Sequence, residues 1–447
     1  MKLKLKAELW DKMHYLFRDF NDRMVHLALY YDYHIDIEKL KTVLICFFEK
    51  APVLHSSFVD NKIAAYWEVR EYHIDQVLTV SYPDDPEAAV DEFLTRYLPP
   101  ESDLQMKAAV FYHDGKSVLC IIENHMCMDG GDFKSFMNAL CGAYTKYDLE
   151  GISPVKLRTG TREYSAVYGD YSYTEQRMAK NLYRNVCAKD DHRFPLTRES
   201  VRDVSFIARR TLPASKFDRI KSAGKQRGAT VNDMLLTAYF YSLYELAGYN
   251  RTESVTISCA VDLRRHIKDN SGAGFTNQTA FMQCAVPERG GDIFQTLAYV
   301  TASSERYKKD RFMGLYGLPL LNLGYSILPQ AVSEEVIKIG YSNPLLAMSN
   351  IGVLDEKALA LSGNEPTAGF MTGAVKYKPY ALLSATTLRK QITLSMCVRG
   401  NEEDRRIVER FFDLMEKKSR RSCGMRRSAA CGIRSNNDRG KIKEETT

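Results

Sequence analysis

Residues 117–133 read SVLCIIENHMCMDGGDF and hold the side chains best suited to chemistry. An apolar run ends at Asn124 and His125, and Asp129, Gly130 and Gly131 follow from the fourth position after the histidine. Imidazole ordinarily titrates at about 6.5, so a neutral His125 can take a proton from a hydroxyl or amine and return it later. A strand that delivers the ring into a turn holds it at a sheet edge in one orientation. The glycines are expected to let the backbone turn through conformations other residues avoid. Asp129 can fix the loop through a hydrogen bond or an ion pair. A histidine alone is more often structural, so the weight rests on the spacing.

The surrounding elements suit that task. Two strand-like runs, 106–113 and 117–123, are joined by Asp114-Gly115, a hairpin signal. A sharp break over 124–132 precedes a helical pattern over 133–147. Upstream, 35–50 has apolar residues at helical spacing, Asp36 near its start and Ala51-Pro52 as its stop. Strands are expected over 64–69 and 76–82 and a helix over 84–98, whereas 10–31 reads equally as strand or helix. The polar stretch 151–200 reads as a crossover with a helix over 174–186. In the second half, 230–247 is apolar nearly all round, which predicts a buried helix opened by a Thr230–Asp233 capping box. Strands are expected over 206–212, 254–261, 280–286, 345–349, 369–375, 380–387 and 390–398, with an amphipathic closing helix over 402–416. Strands and helices alternate without a strict βαβ rhythm, which predicts a mixed α/β class. Residues 312–333 are uncharged but carry Pro319 and Pro329, which argues against a membrane-spanning helix and for irregular apolar structure.

At 447 residues the chain exceeds the size of one hydrophobic core, so two lobes or more are expected. The net charge is +6, and residues 416–447 alone hold ten Lys or Arg against four Asp or Glu. The body is therefore near neutral, which argues against a nucleic-acid partner, and the tail reads as a solvated basic segment. The ten cysteines form no CxxC pair and sit mostly in apolar runs, as buried thiols do. The N-terminus is charged without an apolar stretch, so a cytoplasmic location rather than a secretory leader is expected.

The segment Asn124-His125-Met126-Cys127-Met128-Asp129-Gly130 resembles the HHxxxDG motif of condensation domains, wax ester synthases and alcohol acetyltransferases. It also resembles the HxxxD core of plant BAHD acyltransferases. Asn124 stands where the longer motif has its first histidine, and the second, His125, is present. Four further likenesses follow in order: 52–58 to an hPxLRssF segment, 228–236 to a GATVNDVLLA helix start, 261–265 to VDxRxR, and 349–352 to an SNxG loop. The GGDF at 130–133 is also near two other signatures. It lacks the acid of GGDEF, and Phe133 occupies the place of the carrier-protein serine.

The resemblance implies a two-lobed chloramphenicol-acetyltransferase-like fold, with lobes over 1–170 and 201–415, a crossover over 171–200, and a channel between the lobes. It implies His125 as general base and Asp129 as a structural aspartate paired with an arginine of the other lobe, for which Arg264 is the candidate. Asn277, Ser349 and Asn350 would line the channel and steady an oxyanion, or simply cap loops. The expected donor is an acyl-CoA thioester, with no metal and no tightly bound cofactor. Ester formation on an alcohol is the first expectation. An amide-forming condensation enzyme fed by a carrier protein and a non-catalytic binder of the same fold are the alternatives. The apolar 312–333 stretch leans toward a hydrophobic acceptor or a long acyl chain, and the tail leaves room for a peripheral membrane or carrier-protein contact.

Overall fold

Alternation along one strand sets the first lobe. In β2 (Met24–Tyr31), Leu27, Leu29 and Tyr31 face a core with Phe47 and Phe136, while Met24 and Ala28 face Phe93 and Leu94. Both faces are thus covered by helices, Ile37–Lys50 and Gly130–Glu150 on one side and Pro86–Leu94 on the other. The computed structural model describes residues 3–150, 161–181, 189–267, 274–340 and 342–424.

β2 lies in a five-stranded sheet with β5 (Leu78–Ser81), β6 (Met106–His113), β7 (Lys116–Asn124) and β12 (Ala368–Thr372), in the order β12-β2-β7-β6-β5. Asp114 (φ 49°) and Gly115 (φ 73°) make the β6–β7 turn, both in the left-handed region that a two-residue hairpin requires. β12 comes from the second half of the chain and pairs with β2, Ala368 opposite Tyr30. A small sheet of β1 (Lys4–Lys6), β3 (Ser56–Val59) and β4 (Tyr66–Val69) flanks this lobe.

The second lobe is a six-stranded mixed sheet in the order β10-β9-β11-β13-β14-β8. Its strands are β8 (Val204–Leu212), β9 (Val255–Asp262), β10 (Thr279–Val286), β11 (Leu346–Val353), β13 (Ala381–Leu388) and β14 (Gln391–Gly400). Helix Val231–Ala247 lies buried against it, opened by the Thr230–Asp233 capping box and stopped by Gly248 at φ 69°. Helices Ile293–Lys308 and Glu402–Gly424 pack beside it.

Several expectations need correction. Residues 10–31 divide into helix Leu9–Leu16 and β2. Residues 312–333 are irregular only at their start: after turns over 312–317, Pro319 sits in the first turn of helix Leu318–Ile327, and Pro329 separates it from helix Gln330–Gly340. These helices turn Leu320, Leu323 and Ile327 outward. Helix Ile293–Lys308, capped by Asp292, was not foreseen. The closing helix runs on to Gly424, into the segment read as a solvated tail, because Lys418 is buried and ion-paired to Glu245 at 2.5 Å. The tail beyond 424, part of the crossover, and Cys187 and Cys431 lie outside the described residues. Cys120, Cys127, Cys141, Cys259, Cys284 and Cys397 are free and buried, and Cys46 is free and partly buried. Among the described residues no helix is long and apolar enough to cross a membrane.

Candidate active site

β7 ends at Asn124, and the next residues form a tight turn held by local bonds. His125 N donates to Arg23 O (2.7 Å), Met126 N to Asn124 Oδ1 (3.1 Å) and Cys127 N to Asn124 O (2.8 Å). Asn124 also donates from Nδ2 to Gln105 Oε1 (2.9 Å). Asn124 thus shapes the turn from a buried position rather than facing a substrate.

The imidazole is oriented from the other lobe. Asn277 Nδ2 donates to His125 O (2.7 Å), with Met126 O at 3.5 Å, which leaves Asn277 Oδ1 facing His125 Nδ1 at 2.8 Å. An amide oxygen can only accept, so Nδ1 carries the proton and the lone pair lies on Nε2. His14, from helix Leu9–Leu16, stacks on the ring with centroids 4.3 Å apart and planes at 19°. Together they border a cavity of about 130 Å³ between the lobes, which Ser349, Lys376 and Tyr380 also line.

Burial lowers the His125 pKa, and the positive Lys376 adds to that, against the opposing charge of Asp129 and the bond to Asn277. Burial also drives His14 well below its ordinary value, with His125 and Lys376 adding to the fall. Both rings are therefore neutral at neutral pH. A base must be neutral to act, and a lowered pKa keeps it neutral into more acid solution. Were His125 the base of a reaction, the acid limb of kcat/KM against pH would thus fall below about 6.5, with no loss between there and neutrality. A limb centred above that value would contradict this environment.

Asp129 opens helix Gly130–Glu150, accepting on Oδ1 from Gly131 N (2.9 Å) and Asp132 N (3.0 Å), as a helix cap does. Its Oδ2 accepts from Gln278 N (2.6 Å) and Thr279 Oγ1 (3.2 Å) in the second lobe. Arg264 Nη1 lies 3.0 Å from Asp129 Oδ2, and Nη2 lies 2.8 Å from Asp132 Oδ2. Burial alone would raise the Asp129 pKa, but the Arg264 guanidinium and these N–H donors hold it below the usual range. With both oxygens engaged, Asp129 is a strut between lobes, not a proton acceptor.

The glycines act otherwise than expected. Neither Gly130 nor Gly131 is in the left-handed region. A Cβ on Gly131 would lie 3.1 Å from Arg264 Nη1 and 3.2 Å from Asp129 Oδ1, so its smallness admits the ion pair. A Cβ on Gly130 would make only an ordinary 3.5 Å contact with Met371. Asn277 is engaged with His125 and not directed at an oxyanion. Ser349 reaches the cavity, but Asn350 is exposed and bonds to Asn232 and Gly352 N.

Besides Lys376 at the cavity, three residues that brace the motif escaped sequence reading. Asp132 supplies the second carboxylate to Arg264. Arg162 pairs with Asp11 (2.8 Å) and donates to Met126 O (3.1 Å) and Cys127 O (3.2 Å), bracing the motif from a stretch without periodicity. His14 lay in the segment that read as either strand or helix. A second cavity of about 310 Å³ is bordered by Gly131, Lys134, Asp262 and Arg264. A larger cleft of about 1140 Å³, along residues 189–199, touches none of the motif.

The chain superposes on the first condensation domain of the CDA synthetase with a TM-score of 0.66 at 14% identity, covering 93% of this chain and 96% of that one. TRI3 trichothecene 15-O-acetyltransferase from Fusarium sporotrichioides gives 0.64 at 13%, covering 93% and 95%. The starter condensation domain of rhizomide synthetase, in a complex with C8-CoA, gives 0.65 at 13%, covering 94% and 95%. At such identities the likeness shows the shared two-lobed fold alone. No curated protein sequence matches the chain. The family model for the Condensation domain matches residues 16–281, more than half of the sequence and the part that carries His125, Asp129, Arg264 and Asn277, so the chain belongs to the Condensation domain family.

Proposed function

We propose that this protein is an acyltransferase that moves an acyl group from a CoA thioester to an acceptor hydroxyl in one direct transfer, with His125 as the base. The observation that carries this reading is the fixed tautomer: Asn277 occupies Nδ1, and Nε2 is left to act at the cavity. The acceptor O–H gives its proton to Nε2 as its oxygen attacks the thioester carbonyl. The tetrahedral intermediate then collapses, the C–S bond breaks, and the imidazolium protonates the departing thiolate. The Ser349 hydroxyl, on the cavity wall, is the candidate donor to the oxyanion.

The trichothecene O-acetyltransferase and the C8-CoA complex among the structural neighbours support a CoA donor and a hydroxyl acceptor. Two cavities touching the motif suit two substrates arriving separately. A cavity of about 130 Å³ favours a small acceptor, and its Trp10, Phe17 and Phe281 walls, rather than residues 312–333, would meet any apolar part of it. A CoA donor would place the reaction in a CoA-containing compartment such as the cytoplasm. The test is thiol release from acetyl-, hexanoyl- and palmitoyl-CoA with a panel of small alcohols and amines. Acceptor-dependent release supports the proposal. Transfer from an acyl-loaded carrier protein but from no CoA ester would move the reading to a carrier-fed condensation enzyme, and transfer from neither to a binding protein.

A further inference from the structure

Lys376 lies in the link between β12 and β13, and its backbone is pinned to β14: its N donates to Cys397 O (2.9 Å) and its O accepts from Arg399 N (2.9 Å). That anchoring directs the side chain into the His125 cavity, where Trp10, Phe17 and Phe281 supply apolar wall. Among the described residues its ammonium has no hydrogen-bond or ion-pair partner. Lys378, two positions on, is the contrast: it pairs with Asp203 (2.9 Å) and Asp404 (2.6 Å) and is plainly structural. The carboxylate nearest Lys376 in influence is Asp22, whose Oδ1 already accepts from Met24 N (3.0 Å) and Val375 N (2.9 Å). Burial pushes the Asp22 pKa up to about 7, so its charge is only partial at neutral pH. Burial also brings Lys376 down to about 8, which leaves it mainly cationic there.

The residue is only partly buried, so its ammonium meets the cavity space with no carboxylate paired to it, and a ligand oxyanion entering that space would find a cation free to receive it. One compact cation with three donors in a small cavity suits a single carboxylate rather than a phosphate cluster. We propose that Lys376 is the receptor for a carboxylate on the reacting substrate, brought either by a small hydroxy-acid acceptor or by a dicarboxylic acyl donor. This rests on the acyltransferase reading above.

The experiment has two arms. In one, acetyl-CoA is paired with glycolate, 3-hydroxypropionate or 4-hydroxybutyrate, each beside its neutral amide. In the other, succinyl-CoA is set against butyryl-CoA with ethanol as acceptor. Wild type should favour the charged member in one arm, which names the source. Lys376→Met should collapse that preference by ~10–100-fold, carried mainly by KM, as loss of a charged hydrogen bond does. Lys376→Arg should retain part of it. No charge preference in either arm, or a preference that survives Lys376→Met, overturns the proposal. Thermal unfolding of Lys376→Met should show no loss of stability, and Lys376→Gln serves if it does. Failure of the acyltransferase reading shows separately, as no turnover in any arm. Calorimetric binding of 4-hydroxybutyrate and of succinyl-CoA to His125→Ala, with and without Lys376→Met, then decides the proposal. Weakened binding upholds it, and unchanged or absent binding overturns it.

Discussion

His125→Ala should lower acyl transfer by on the order of 10²–10⁴-fold while leaving the fold in place. The large effect follows from the geometry. Among the described residues the ring supplies the one Nε2 lone pair at the cavity whose tautomer a hydrogen bond fixes, and Asn277 Oδ1 has no proton-accepting role that could replace it. The small structural effect follows as well: the ring borders a cavity, and the loop keeps its backbone bond to Arg23 and the Asn124 turn. kcat/KM and the unfolding midpoint, measured on the same preparation, separate the two. Transfer that persisted at the wild-type rate would remove His125 as the base. The neighbouring His14 would then need testing, although its burial makes it the weaker base.

Arg264→Met is the second large expectation, and it is one of stability. The Arg264 side chain is 9% exposed and holds Asp129 and Asp132, which are 2% and 0% exposed. Removing the cation leaves two buried carboxylates facing one another, and breaking a buried pair from one side costs about 3–5 kcal/mol. Denaturant unfolding should show a loss of that size, with transfer falling as well, because Gln278 N and Thr279 Oγ1 meet the same aspartate near Asn277. Arg264→Lys should recover little, since one ammonium cannot reproduce a fork that spans two carboxylates. Asp129→Asn combined with Arg264→Met should cost less than the two changes summed, because the residues share one interaction. A loss below about 1 kcal/mol would mean that water reaches the site and that the pair behaves as a surface one.

How much of this was legible before the fold was known depends on the range over which each feature is encoded. Periodicity is local, and helices Ile37–Lys50 and Val231–Ala247, the β6–β7 hairpin and the run of second-lobe strands were all readable from neighbouring residues. The motif and the candidate Arg264 were readable because the family resemblance carries their order along the chain. Where local signals conflicted, the reading failed. Pro319 and Pro329 both read as breakers of regular structure, yet Pro319 opens a helix, and Pro329 breaks only the link between two. The basic composition after Glu416 concealed a helix whose Lys418 is buried against Glu245.

By itself the sequence determined the class of fold, most of its elements, and the histidine and aspartate at the heart of the site. Only the tertiary structure decided what surrounds them. It put Asn277 on Nδ1 instead of at an oxyanion, added Asp132 to the ion pair, sent Asn350 to the surface, lent β12 to the first lobe, and set Lys376 in the cavity without a partner. Asn277 meets His125 from 152 positions away. Contacts of that kind are chosen by the packing of whole sheets and helices, and no pattern among adjacent residues records them.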